Sequence, residues 1–361
     1  MKRNYGIDLL RMVLMLMVVI LHLLGHGGAL KATAPLTIKY GGAWLVECLA
    51  FCAVNCYALV SGYVCINSKF KFSSLFQICL QTFLYSIGIA ACVWILKPEL
   101  FSLQNLTKFL FPISNGGYWY VSAYFGMYML IPLLNMGVHA LSKERAKAYI
   151  LLLFFVFTLL PTLAGRDVFS VNSGYSTFWL AFLYVIGACI KKFGWGDNLK
   201  SYKALLIYFC SVLLSWGTKI GCEGITTWQM GESKTWISFI TYTSPTMVIA
   251  SIAILVAFKN AKISPKSTGF ISAFSPAAFG VYLIHEHYYV RKYCIASKFV
   301  FLTEYSTPVM IIGIFVSALV VFTGCLFIDW IRLKVFRWLR VKECFEKLEE
   351  KLIHSSTAVK K

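Results

Sequence analysis

Ten apolar segments recur along this chain, at about residues 5–27, 42–65, 74–96, 118–138, 149–165, 176–191, 204–220, 236–258, 271–290 and 306–331. A bilayer core about 30 Å thick takes ~20 helical residues to cross. Inside it every backbone amide needs a partner from the chain itself, and a helix supplies one segment by segment. Repeated runs of this length therefore dictate an all-α polytopic membrane protein. Composition agrees: 59% of residues are hydrophobic and 14% charged, where soluble domains carry roughly a quarter charged residues. The first run is long for a signal peptide, holds internal charge and lacks a small-x-small cleavage site, so it reads as the first retained span. The longest loops, at about 97–117 and 221–235, are too short to be domains.

The formal net charge is +19. Nucleic-acid binding does not follow, because the basic residues lie in short loops between apolar runs. With ten spans both ends share a side. Placing them inside assigns 24 of the 34 Lys and Arg residues to the inner face, counting Arg11, and 10 to the outer face. Positive loops stay cytoplasmic, which gives an N-in, C-in orientation. The end of the chain, DWIRLKVFRWLRVKECFEKLEEKLIH, interleaves aromatic and basic residues. We expect a ten-helix domain over 1–335 and a basic amphipathic cytoplasmic tail over 336–361. The tail is suited either to an anionic leaflet or to solvent, with pairs such as Glu343–Lys347. Twelve cysteines form no CxxC pair. Cys48, Cys52 and Cys56 line one helix face at a spacing that no His or carboxylate closely shares, as buried thiols do, so no metal is expected.

The first span, GIDLLRMVLMLMVVILHLLGH (residues 6–26), is unlike an anchor. At 100° per residue Asp8, Arg11, His22 and His26 fall on one stripe. Ionisable groups facing lipid are costly, so the stripe faces the protein interior or a watery cavity. Asp8 and Arg11 are one turn apart and neutralise each other. Arg11 lies near the cytoplasmic end, and His22 is ~16 Å further along. Ranking polar groups by depth brings Glu47 and His285 to the level of His22. A carboxylate beside an imidazole fixes its tautomer and raises its basicity, the layout of a general base and its partner.

Four short motifs in order then resemble the membrane acyltransferase-3 family. They are DLLR followed by His22, with ten residues between Arg11 and His22; AVNCYALVSGY (residues 53–63); GYWYVSAYFGMYMLIPLL (117–134); and FGVYLIH (279–285). The resemblance spans most of the chain. It implies transfer of an acyl group, usually acetyl, from cytoplasmic acyl-CoA to a hydroxyl of a sugar or cell-envelope glycan, free or lipid-linked, at a bacterial plasma membrane. It also implies that Arg11 and His22 are the central functional pair. Asn55 stands where many members have Asp. An arginine pair often found at the start of the third helix is absent, and FKFSSLFQICLQ holds only Lys71 there.

The expected roles follow. His22 is the general base or acyl relay and Glu47 stabilises its imidazolium. Arg11 grips a phosphate or thioester-proximal group of acetyl-CoA, with Ser61 and Lys69 at the same mouth. Asn55 donates to the oxyanion, and Trp119 and His285 contact the acceptor. Trp119, Tyr120, Tyr175 and Trp179 either stack on a sugar or form an interfacial belt. The alternatives are a transporter or flippase using the same polar cavity without chemistry, and a structural subunit of a polysaccharide assembly. The lack of paired repeats or matched broken helices speaks against transport.

Overall fold

The computed structural model describes the backbone of residues 3–358 and the side chains of residues 3–351; Lys2 and the last residues of the expected tail lie outside them. Among the described residues the chain is helical and contains no strand. Eight helices are long and apolar enough to cross a membrane. In chain order they are α1 (Tyr5–Gly25), α2 (Ile38–Cys65), α3 (Phe72–Leu96), α4 (Trp119–Ala140), α5 (Lys143–Ala164), α7 (Ser201–Met230), α9 (Pro265–His285) and α10 (Thr307–Trp338). The other two expected segments are shorter helices, α6 (Thr177–Phe193) and α8 (Pro245–Lys259).

The short helices are interior ones. Most residues of α6 and α8 are buried. The apolar windows of α1 and α2 are 67% and 72% buried, against 22–28% for α3, α5, α7 and α10. The centre is therefore α1, α2, α6 and α8, and the peripheral helices turn apolar faces outward, where only lipid can accept them. Small residues set the central packing. A Cβ on Gly62 would lie 1.9 Å from the Tyr184 carbonyl oxygen, and one on Gly187 would lie 1.9 Å from that of Leu59. Facing glycines thus let the backbones of α2 and α6 touch.

Several boundaries depart from the periodicity, and two of them reshape the stretch before α8. The expected span over 236–258 begins only at Pro245. Proline suits a first helical turn because it lacks the amide hydrogen that turn leaves unused. The preceding stretch is held by local polar bonds, such as Ser244 Oγ donating to the carbonyls of Phe239 and Thr241. The helix before it, α7, runs on to Met230 and absorbs much of the expected loop over 221–235.

The start of α1 is pinned. Asn4 accepts from the amides of Gly6 and Ile7, an N-cap, and donates to the Lys259 carbonyl at the end of α8. At the far end of the chain α10 continues through Trp338, beyond residue 335, and is followed by α11 (Val341–Ala358). This last helix docks on the first turn of α3. Phe345 stacks on Phe76, and Glu349 accepts from the amides of Phe72 (2.8 Å) and Ser73 (3.2 Å). A carboxylate there complements the unpaired amides and positive end of α3.

Candidate active site

Asp8 is shared by two guanidiniums at the start of α1. Arg3 Nε lies 2.6 Å from Oδ2 and Arg11 Nη1 3.6 Å from Oδ1. Arg11 is thus held by a neighbour one turn away while part of it stays accessible. Its own carbonyl accepts from the Tyr57 hydroxyl of α2 at 2.6 Å.

The other end of the stripe opens on a cavity of about 320 Å³ lined by His22, His26, Glu47, Trp119, Tyr120, Tyr175, Tyr242, Tyr282, Glu286 and Arg291, among others. Its aromatic wall is continuous: Trp119 and Tyr175 have ring centroids 4.5 Å apart, Tyr175 and Tyr242 4.9 Å, and Tyr242 and Phe51 4.8 Å. Flat apolar faces beside hydroxyls and carboxylates suit a polar ring with C–H faces, such as a sugar.

The imidazole of His22 is set by a hydrogen-bonded chain. His285 Nδ1 lies 2.6 Å from the Val281 carbonyl oxygen. A carbonyl only accepts, so this contact assigns the proton to Nδ1 and leaves the lone pair on Nε2. That Nε2 is 2.9 Å from His22 Nδ1. The contact needs one proton, which His22 Nδ1 therefore carries and donates. His22 Nε2 is left as the basic nitrogen on a ring that lines the cavity. Glu286 flanks the pair: its Oε2 is 3.1 Å from His22 Nδ1, and its Oε1 is bound by Arg291 and lies 3.8 Å from His26 Nε2. The carboxylate is 4% exposed. It is placed to stabilise a proton gained by His22, while Arg291 holds its other oxygen.

A second cavity, about 250 Å³, lies toward the Arg11 end. It is lined by Arg11, Ser61, Tyr124, Ser275 and Pro276, among others. Tyr57, Tyr120 and Phe279 line both cavities. These three rings are the partition between an Arg11 chamber and a His22 chamber. The Tyr120 hydroxyl at that partition is buried without a hydrogen-bond partner. A donor left idle in the ground state is free for charge that develops later.

Several expected placements change. Glu47 lines the His22 cavity, but the carboxylate beside His22 belongs to Glu286, which the sequence reading passed over. Asn55 is 0% exposed with both ends of its amide engaged: Nδ2 donates to the Tyr242 carbonyl at 2.7 Å and Oδ1 accepts from Trp179 Nε1 at 3.0 Å. It lines neither cavity, so an oxyanion formed there does not reach it, and Trp179 is a core residue. His285 does not line the cavity; it touches His22 and is fully buried. Ser61 lines the Arg11 cavity, whereas Lys69 is exposed and lines neither. Lys71 pairs with Glu346 of α11 at 3.4 Å. Trp119, Tyr120 and Tyr175 face the cavity. The signal for Glu286 was present as an acid between two histidines in IHEH.

Comparison with known proteins fits this architecture. An acyltransferase domain family matches residues 4–330. The chain belongs to the acyltransferase-3 family and is a membrane acyltransferase. No curated protein and no solved structure gave a match.

Proposed function

We propose that the protein is an O-acyltransferase of a bacterial plasma membrane, moving an acyl group, most simply acetyl, from cytoplasmic acyl-CoA to a hydroxyl of a sugar or cell-envelope glycan. The observation that carries this reading is the His285–His22 chain, which leaves His22 Nε2 basic at one end of two adjoining cavities whose other end is Arg11. The coenzyme enters on the Arg11 side, where the guanidinium meets a phosphate or the polar part of the pantetheine arm. The thioester reaches the partition. The acceptor occupies the aromatic cavity with its hydroxyl at His22 Nε2. As the hydroxyl oxygen attacks the thioester carbonyl, Nε2 takes its proton and Glu286 stabilises the imidazolium. The Tyr120 hydroxyl donates to the tetrahedral oxyanion. Collapse breaks the C–S bond, and the imidazolium returns its proton to the departing thiolate. The acceptor leaves as an ester and the donor as free coenzyme A. An acyl-His22 relay uses the same atoms in two steps.

The test is transfer of radiolabel from acetyl-CoA to a glycan acceptor by purified protein. His22→Ala should lower turnover by at least ~10²-fold, the usual worth of a general base, while coenzyme A binding by calorimetry is retained. Turnover at the wild-type rate in the variant removes His22 from the chemistry.

A further inference from the structure

We propose that His22, His285 and Glu286 form a binding site for a divalent transition metal ion, best suited to Zn²⁺, whose occupation switches off the His22 base. One ligand atom from each of the three residues falls within a group spanning 4.8 Å. His22 Nδ1 is 2.9 Å from His285 Nε2 and 3.1 Å from Glu286 Oε2. Tetrahedral Zn²⁺ with donors at about 2.0–2.1 Å puts those donors roughly 3.3 Å apart. These two pairs thus need to open by only a few tenths of an ångström. Two imidazoles and a carboxylate make a donor set that zinc accepts readily.

Three further features point to a ligand and not to a packed core. Glu286 Oε2 is buried on a residue 4% exposed and, apart from its 3.1 Å approach to His22 Nδ1, has no hydrogen-bond partner. An idle buried carboxylate oxygen is costly and asks for a partner. His285 donates Nδ1–H to the Val281 carbonyl, the outer contact that commonly fixes the tautomer of a metal-binding histidine. Arg291 engages only Oε1, leaving Oε2 free to ligate. His22 and Glu286 both line the main cavity, which supplies an entry path and room for water in the fourth position.

The chemistry of binding is a change of tautomer. His22 gives its Nδ1 lone pair to the metal, and the proton it carried there moves to Nε2. The nitrogen that faces the acceptor is then a donor and no longer a base. The inhibition arm rests on the proposed acyl transfer, whereas the binding arm does not.

The experiment uses the full chain in detergent, purified without a polyhistidine tag and stripped with chelator. Titration with Co²⁺ should give one equivalent of a tetrahedral visible spectrum lacking the thiolate charge-transfer band, displaced by Zn²⁺. Glu286→Gln and His285→Gln should each weaken binding at least tenfold. Zn²⁺ should inhibit acetyl transfer with a half-maximal concentration matching its dissociation constant, leave KM for acyl-CoA unchanged and be reversed by chelator. Absence of a stoichiometric Co²⁺ spectrum in the wild type overturns the site without reference to any variant, as does a thiolate band or equal affinity in both variants. Binding at these residues with undiminished transfer overturns the switch. A protein that binds zinc but transfers no acyl group retains the site and counts against the acyltransfer chemistry.

Discussion

Two carboxylates face the same cavity as His22, and they are distinguishable. Glu286 lies 3.1 Å from His22 Nδ1, whereas Glu47 lines the cavity from α2 with its Oε2 buried and unpartnered. Glu286→Gln keeps the shape and removes the charge that stabilises the imidazolium. It should lower kcat by ~10²-fold with KM for acyl-CoA unchanged. Glu47→Gln should act mainly on acceptor KM, since its free oxygen is available to an acceptor hydroxyl. Steady-state kinetics against both substrates separates the two, and the reverse pattern would exchange their roles. On the donor side, Arg11→Lys should weaken acyl-CoA binding ~10-fold in calorimetry, because an ammonium cannot make the planar two-point contact. The stripe of Asp8, Arg11 and His22 was legible because a helix carries its period in the sequence. Glu286 was marked only by the IHEH pattern, and its place beside His22 was hidden because it follows the last residue of α9, at φ −87° and ψ −5°. Depth along a helix axis says nothing about where the chain turns once the helix ends. Asn55 was misread for a different reason: its partners Trp179 and Tyr242 are far away in sequence, and no local pattern announces them.

Among the elements, the α2–α6 contact has the least slack. Gly62→Ala must push the two backbones apart, since its Cβ meets the Tyr184 carbonyl. We expect a loss of about 1–3 kcal/mol from overpacking, seen as a lower melting temperature, together with weakened donor binding because Ser61 precedes Gly62 and lines the Arg11 cavity. A second hub is Asp329 on α10, 0% exposed, which receives Arg332, Gln81 Nε2 at 3.1 Å and the Tyr85 hydroxyl at 2.7 Å. Asp329→Ala leaves a part-buried guanidinium and two buried donors without their acceptor and should cost about 1–3 kcal/mol. A thermal melt within a degree of the wild type would show that water or another acid replaces it. The existence of every long helix was readable from apolar runs. The start of α8 was not, because its apolar run continues upstream of Pro245 into a stretch whose serines and threonines bond locally. The docking of α11 was also hidden, since Glu349 and Glu346 look like solvated charges until α3 is brought beside them.

For the molecule as a whole, the proposed reaction makes the bundle a passage with two chambers, the donor entering past Arg11 and the acceptor meeting His22. In the N-in, C-in orientation expected from the charge asymmetry of the loops, the Arg11 end faces the cytoplasm. Coenzyme A is too highly charged to cross a bilayer. Acyl-CoA should therefore be used from one face only, the face that carries α11. The most direct measurement is acyl transfer in sealed proteoliposomes, their orientation fixed by protease access to α11 and acyl-CoA supplied to one side at a time. Transfer is expected when acyl-CoA is on the α11 side and none when it is on the other. Equal transfer from the opposite side of sealed vesicles would contradict the passage, the orientation and the role given to Arg11.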